Sequence, residues 1–283
     1  RLGYQTIYWY GGNASYGNFN HFGKAQGFDR VESASIFCGP NAPKTWVGVY
    51  DHVFLENIEN QIKLIDQPTF HFIYTTSNHG PYKMEDSLLD YDPEKVMPDV
   101  GDDLRSNKVR NKQFATYRYS DKAIFTFVES MKETFPDSLF IITGDHSNLF
   151  GSLNNTSLVH RDYTLRDTFC TVALLQHPDL NRDMIVTSKG THMSLMPTII
   201  EAIAPKGFEY YSITSSLFEN QPEILVTPYQ WITDSLIGDV RMDYGEKNIA
   251  TTEPVNPIRP INNHAEDARD WTLLTTWLIN HKG

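Results

Sequence analysis

"SLFIITGDHSNLFG", residues 138–151, decides how the whole chain is read. An apolar, β-branched run stops at Gly144, and Asp145 and His146 follow at once. The run predicts a strand built for burial, with a carboxylate and an imidazole at its carboxyl end. Two readings of the pair stand. A carboxylate oxygen and an imidazole nitrogen can share one divalent cation. Equally, Asp after Gly at a strand end is ordinary turn chemistry, with the histidine packed beneath it.

Working outward, strand and helix signals alternate. "TIYWY" (6–10) is β-branched and aromatic, ends at Gly11-Gly12, and predicts a strand. A helix follows within 15–25. Val47, Tyr50, Phe54, Ile58, Ile62 and Ile65 recur at spacings of three and four and predict an amphipathic helix. "TFHFIYTT" (69–76) is the next strand after Pro68. Residues 83–107 are polar and acidic with Pro93 and Pro98, and predict a long surface loop.

Tyr117, Ile124, Phe127, Val128 and Met131 then mark a helix that Pro136 ends. Beyond 138–146 come a buried-type strand over 169–176 and a helix starting near Ser194 with Pro197 in its first turn. The last stretch, 265–283, predicts an amphipathic helix, acidic first and with Lys282 near its end. Strands separated by helices predict an α/β fold with a central mixed, mostly parallel sheet flanked by helices. In such sheets ligands gather at the carboxyl ends of strands.

Composition narrows the function. At 283 residues the chain can bury a substantial core, and its 40% apolar content excludes a disordered segment. The net charge of −11 argues against nucleic acid as a partner, because phosphate-backbone binding needs a basic surface. No run of about 18 apolar residues exists to span a bilayer. Cys38 and Cys170 supply no disulfide framework and are expected to be small buried residues. The chain opens on Arg1 in sequence that already reads as structured, so it is expected to begin inside a longer protein.

A second strand ends as the first does. After 69–76 come Ser77-Asn78-His79-Gly80-Pro81, and the Gly-Pro step turns the chain where His79 emerges. Alone, His79 would be a surface histidine in a turn. Two strands ending in turn-fixed histidines point instead to a shared site.

"TTSNHGPY", "YRYSDKAIFTFVE", "LFIITGDHS" and "MPTIIEAI" occur in an order and spacing that resemble the sulfatase-like phosphoglycerol transferases. These are the lipoteichoic acid synthase family and its relatives, within the alkaline phosphatase superfamily. "YGGNASYGNFNHFGKAQGFD" is similar to the segment that enters the family's substrate pocket, and "WVGVYDHVFLE" to a Trp-Gly-x-x-Asp stretch before its next helix. The resemblance runs from about Tyr4 to about Leu217.

It implies an alkaline phosphatase-like, sulfatase-like fold, with 1–283 as a single domain: the larger, C-terminal part of a catalytic domain. Asp145 and His146 would bind a divalent metal ion, Mn2+ foremost, with Zn2+, Mg2+ or Ca2+ as alternatives. His79 would contact the transferring phosphate or assist the leaving group. Tyr10, Asn13 and Asn18 are candidate substrate-binding residues. Tyr119 and Asp121 match a recurring Tyr-x-Asp with a structural role, and His192 is expected to be structural. The implied activity is metal-dependent phosphoglycerol transfer from a lipid or polymer donor in cell-envelope synthesis. The implied location is extracytoplasmic, with a membrane anchor outside this chain.

The chain also departs from the pattern. The family's nucleophilic Thr and a further carboxylate ligand precede every motif quoted, so an upstream segment is expected to carry them. The isolated chain is then expected to be inactive. A sheet lacking its opening strands would be covered by that segment or by association with another copy. "CGPNA" at Cys38 has Ala42 where a sulfatase nucleophile motif has Arg, and it lies after the pocket segment. The Trp-Asn-Arg of the synthases proper is replaced by Gly17-Asn18-Phe19. Alternatives are a sulfatase or phosphoethanolamine transferase of the same superfamily, or a non-catalytic module that binds anionic glycans.

Overall fold

The computed structural model describes residues 2–89, 92, 102–147, 164–181, 184, 189–221, 224–227, 230–239, 244–247, 270 and 273. The chain forms two compact units, Arg1–Ser138 and Leu139–Gly283.

The first unit is built on a parallel sheet. Strand β1 (Gln5–Tyr10) lies between β2 (Arg30–Ser33) and β3 (Thr69–Tyr74). Tyr8 aligns with Val31 on one side and Phe72 on the other, and Tyr10 with Ser33 and Tyr74. Side chains alternate across the sheet, so β1 feeds both faces with aromatics. On one face Tyr8 and Tyr10 meet Phe28 at 5.5 Å and Phe19 at 4.3 Å between ring centroids. Helix α1 (Phe19–Ala25) approaches closely there because Gly23 has no Cβ: an added one would stand 2.7 Å from Tyr8 and from Val31. On the other face Trp9 packs on Phe37, at the end of α2 (Ala34–Phe37), and Phe37 on Phe54 of α3 (Asp51–Ile62).

Helix α3 is shorter than its apolar period suggests, because the stretch holding Val47 folds as a hairpin before it. The predicted loop over 83–107 holds a short 3-10 turn, Asp86–Leu88, and a one-turn helix, α4 (Asp102–Arg105). Helix α5 (Lys108–Thr134) is capped by Asn107, whose side chain accepts from the Arg110 amide at 3.1 Å. It packs along α3, and Ser130 donates to Glu59 at 2.6 Å.

In the second unit β4 (Phe140–Thr143) pairs antiparallel with β5 (Ala173–Gln176). The buried-type strand expected over 169–176 is corrected in two ways. Its start is helix α6 (Leu165–Phe169), set by a capping box between Thr164 and Asp167, and its Leu174 is 59% exposed. Helix α7 (His192–Ile203) starts two residues before Ser194, because Thr191 caps it by accepting from the Met193 amide. Pro197 therefore sits inside the helix, beyond its first turn.

Four short strands, β6 (Leu225–Val226), β7 (Gln230–Ile232), β8 (Leu236–Asp239) and β9 (Tyr244–Lys247), then form an antiparallel meander. Parallel pairing is thus confined to β1–β3 among the described residues. The helix expected over 265–283 lies outside the described residues apart from Asp270 and Leu273. Cys38 and Cys170 are free thiols and only half-buried. Burial pushes the Cys38 thiol up to about 11.

Candidate functional site

In the first unit three strand ends are laced into one rim. Ser33, at the end of β2, accepts from the Ala14 amide at 3.0 Å and donates to the Gly12 carbonyl at 2.9 Å. The Val49 amide donates to the Gly11 carbonyl at 2.9 Å, and Gly12 bridges Gly48. The approach is so close that a Cβ on Gly48 would stand 2.3 Å from the Gly11 oxygen and 2.4 Å from the Thr76 hydroxyl.

Asp51 organises the turn that carries His79. Fully buried at the start of α3, its carboxylate accepts from the amides of Thr76 and Ser77 at 3.1 and 3.0 Å and from the Ser120 hydroxyl at 3.1 Å. Its own amide donates to the Ser77 hydroxyl at 2.9 Å. Burial raises the Asp51 carboxyl above its ordinary value, and these hydrogen bonds pull the other way. Tyr119 adds a second brace, its hydroxyl accepting from the His52 amide at 3.1 Å and meeting His52 Nδ1 at 2.5 Å. Burial raises the Tyr119 phenol. Tyr119 is thus a structural residue, as its motif implies, while Asp121 is exposed.

His79 leaves this scaffold exposed, with Nδ1 at 2.7 Å from the Gly80 carbonyl. A carbonyl only accepts, so Nδ1 carries a hydrogen, and in the neutral ring Nε2 then carries the lone pair. The Gly80–Pro81 peptide is cis. Trp46 stands beside the imidazole, its ring centroid 5.4 Å away and the planes 80° apart.

The other pocket candidates of this unit differ in position. Tyr10 is 3% exposed and stacked on Phe19, so its ring belongs to the core. Asn13 is exposed and accepts from the Ser15 amide at 3.0 Å, closing its own turn. Asn18 is exposed in the left-handed region, at φ 61°.

In the second unit Asp145 and His146 stand exposed just after β4. The His146 amide donates to Asp145 Oδ1 at 2.9 Å, and His146 Nε2 lies 3.7 Å from Asp145 Oδ2. His146 Nδ1 is 2.7 Å from the Ser147 carbonyl, which again puts a hydrogen on Nδ1 and, in the neutral ring, the lone pair on Nε2. The Ser147 hydroxyl donates to the Thr168 carbonyl. His192 steadies the strand end, with Nε2 at 2.8 Å from the Gly144 carbonyl. Among the described residues no group of three or more His, Cys, Asp or Glu forms a metal cluster.

Sequence reasoning missed the anchoring role of Asp51. The signal was there: Asp51 lies on the same helical stripe as Phe54, Ile58 and Ile62, a carboxylate on an apolar face. It also missed Trp46 as a neighbour of His79, for which no spacing gives a clue.

A model of the sulfatase family matches residues 1–204. The chain belongs to the sulfatase family. Within that family it is similar to the lipoteichoic acid synthase-like protein YvgJ of Bacillus subtilis, at 28% identity over 126 residues. That match takes in 42% of the chain but only 18% of YvgJ. Two solved structures share the fold. The lipoteichoic acid synthase LtaP of Listeria monocytogenes matches with a TM-score of 0.71 at 15% identity, over 99% of this chain and 71% of LtaP. An alkaline phosphatase superfamily protein of Vibrio parahaemolyticus matches with a TM-score of 0.67 at 20% identity, over 98% of this chain and 66% of that one. The sulfatase-like α/β class expected from the sequence is therefore the observed one.

Proposed function

We propose that the chain is the larger, C-terminal part of one sulfatase-like catalytic domain that transfers phosphoglycerol from a lipid or polymer donor during cell-envelope synthesis. The carrying observation is one device used twice. His79 and His146 each follow a strand and each donate Nδ1–H to the carbonyl of the next residue, which in the neutral ring leaves the lone pair on Nε2. Histidines that ligate metals or handle protons are oriented in this way.

The donor set suits a divalent cation, Mn2+ first, with Zn2+, Mg2+ and Ca2+ as alternatives. Asp145 Oδ2 and His146 Nε2 are exposed neighbours, hard oxygen beside imidazole. They would supply two of the roughly four ligands usual for zinc, the others coming from an upstream segment. When bound, such a cation offsets the negative charge that gathers on the phosphoryl oxygens. His79 Nε2 meets the transferring phosphate or assists the departing alcohol. Asp51 holds the turn that aims His79, and His192 holds the Gly144 carbonyl next to Asp145. The nucleophilic Thr lies upstream, and the upstream segment or a second copy covers the open sheet edge. The domain works outside the membrane, anchored by a region beyond this chain. No described helix is long and apolar enough to cross a bilayer.

Release of glycerol phosphate from a lipid donor by the full-length protein tests this. A chelator abolishes it and Mn2+ restores it. Asp145→Ala lowers it by more than the roughly 10- to 100-fold typical of losing an outer partner of a metal ligand. Full activity in Asp145→Ala overturns the ligand role.

A further inference from the structure

Trp46 occupies the tip of a two-residue hairpin. The Thr45 amide donates to the Gly48 carbonyl at 2.8 Å, and the Thr45 hydroxyl accepts from the amides of Val47 and Gly48 at 3.2 and 3.3 Å. Lys44 bridges Val49 below the tip, and Gly48 bridges Gly12 of the β1 rim. The tip is therefore rigid, and its large apolar ring is 63% exposed. Such a ring adds little to the core, since most of its area stays in water.

Its orientation is nevertheless fixed from two sides. The indole Nε1 donates to the Gly80 carbonyl at 3.2 Å, and the ring stands edge to face with His79. Indole has a single donor and no acceptor, and Gly80 already takes that donor. What remains for a ligand is apolar ring surface, a few ångströms from the imidazole. A phosphodiester has two matching parts: a charged centre suited to His79, and a carbon skeleton suited to an aromatic wall.

We propose that Trp46 is a specificity-determining residue, its indole packing against the carbon skeleton of the polyol or sugar whose phosphate His79 holds. The proposal rests on the reading of His79 as the phosphate-contacting residue. It gives the site a preference among phosphodiesters that His79 and a metal cannot give, because those groups meet only the phosphate and ester oxygens that all such donors share.

The test uses the full-length protein and two p-nitrophenyl phosphodiesters, one carrying glycerol and one carrying methanol. Trp46→Ala should lower kcat/KM for the glyceryl ester about five- to tenfold, through KM, with kcat within about twofold and the methyl ester nearly unchanged. Trp46→Phe, which keeps a ring but not the N–H, should retain most of the preference. The melting temperature of Trp46→Ala should stay within about 2 °C. Should Trp46→Ala not fold, Trp46→Phe against Trp46→Leu gives the same contrast of ring against bulk. Equal losses on both esters, no loss on either, or Trp46→Phe as damaging as Trp46→Ala all overturn the proposal. His79→Ala separates the two readings. If it leaves both esters at full turnover, the assignment of His79 fails and this proposal fails with it. If it abolishes turnover while Trp46→Ala changes nothing, only the role of Trp46 fails.

Discussion

Asp51, fully buried, and His71, half-buried, are titratable groups whose effects on stability run in opposite directions with pH. Burial raises the Asp51 carboxyl above 3.8, so the folded state holds that proton more tightly than the unfolded chain. Stability from this group is fully present below pH 3.8 and falls as pH climbs from there through the raised value. His71 is the reverse. It accepts from the Trp9 indole at 3.0 Å, and burial, with Arg30 nearby, depresses it from 6.5 to about 4. Its contribution is present above pH 6.5 and is lost as pH falls towards about 4. Asp51→Asn keeps an oxygen for the Thr76 and Ser77 amides without a buried charge. Urea unfolding across pH 4 to 7 should show the Asp51-dependent decline vanish in Asp51→Asn and the acid-side loss shrink in His71→Asn. Asp51→Ala, which strands two buried amides, should cost about 2–5 kcal/mol.

At the scale of elements, the rim depends on backbones that touch. Gly48→Ala would drive a methyl group into the Gly11 carbonyl and the Thr76 hydroxyl, where neither neighbour is a flexible side chain. It should destabilise by about 1–3 kcal/mol in urea unfolding and weaken phosphodiester turnover in the full-length protein. Which elements were legible follows from the same physics. α3 and α5 show in the sequence because each buries a clear periodic pattern, and β1 and β3 because each is an unbroken β-branched and aromatic run. The α6 turn was misread because Phe169 extends an apolar run, although Thr164 and Asp167 spell out its cap. The meander escaped notice because two- to four-residue strands are too short to carry a period. Trp231 sits opposite Gly238, where a Cβ would stand 2.1 Å from the indole, a pairing that only the fold reveals.

At the scale of the molecule, two of the motifs that announced the family, TTSNHGPY and LFIITGDHS, mark strand ends, where loop chemistry and sheet topology coincide. Asp145, His146 and His79 stood out for that reason. Asp51 did not, because its task is to hold a turn and not to meet a ligand. The net charge of −11 has its own consequence. An acidic chain concentrates divalent cations near its surface, and salt screens that attraction within about 10 Å at 0.1 M. Calorimetric binding of Mn2+ to the 283-residue chain should weaken as salt rises from about 10 to 150 mM. Only the portion absent from Asp145→Ala reports the site.

The bond that His79 and His146 each make to their own downstream peptide bears on timing. In a freely rotating imidazole the hydrogen can reside on either nitrogen, and a guest must wait for the right isomer. Here the hydrogen bond to the local chain biases that choice before any guest arrives. An incoming ion or ester oxygen therefore finds its partner already in the receptive form.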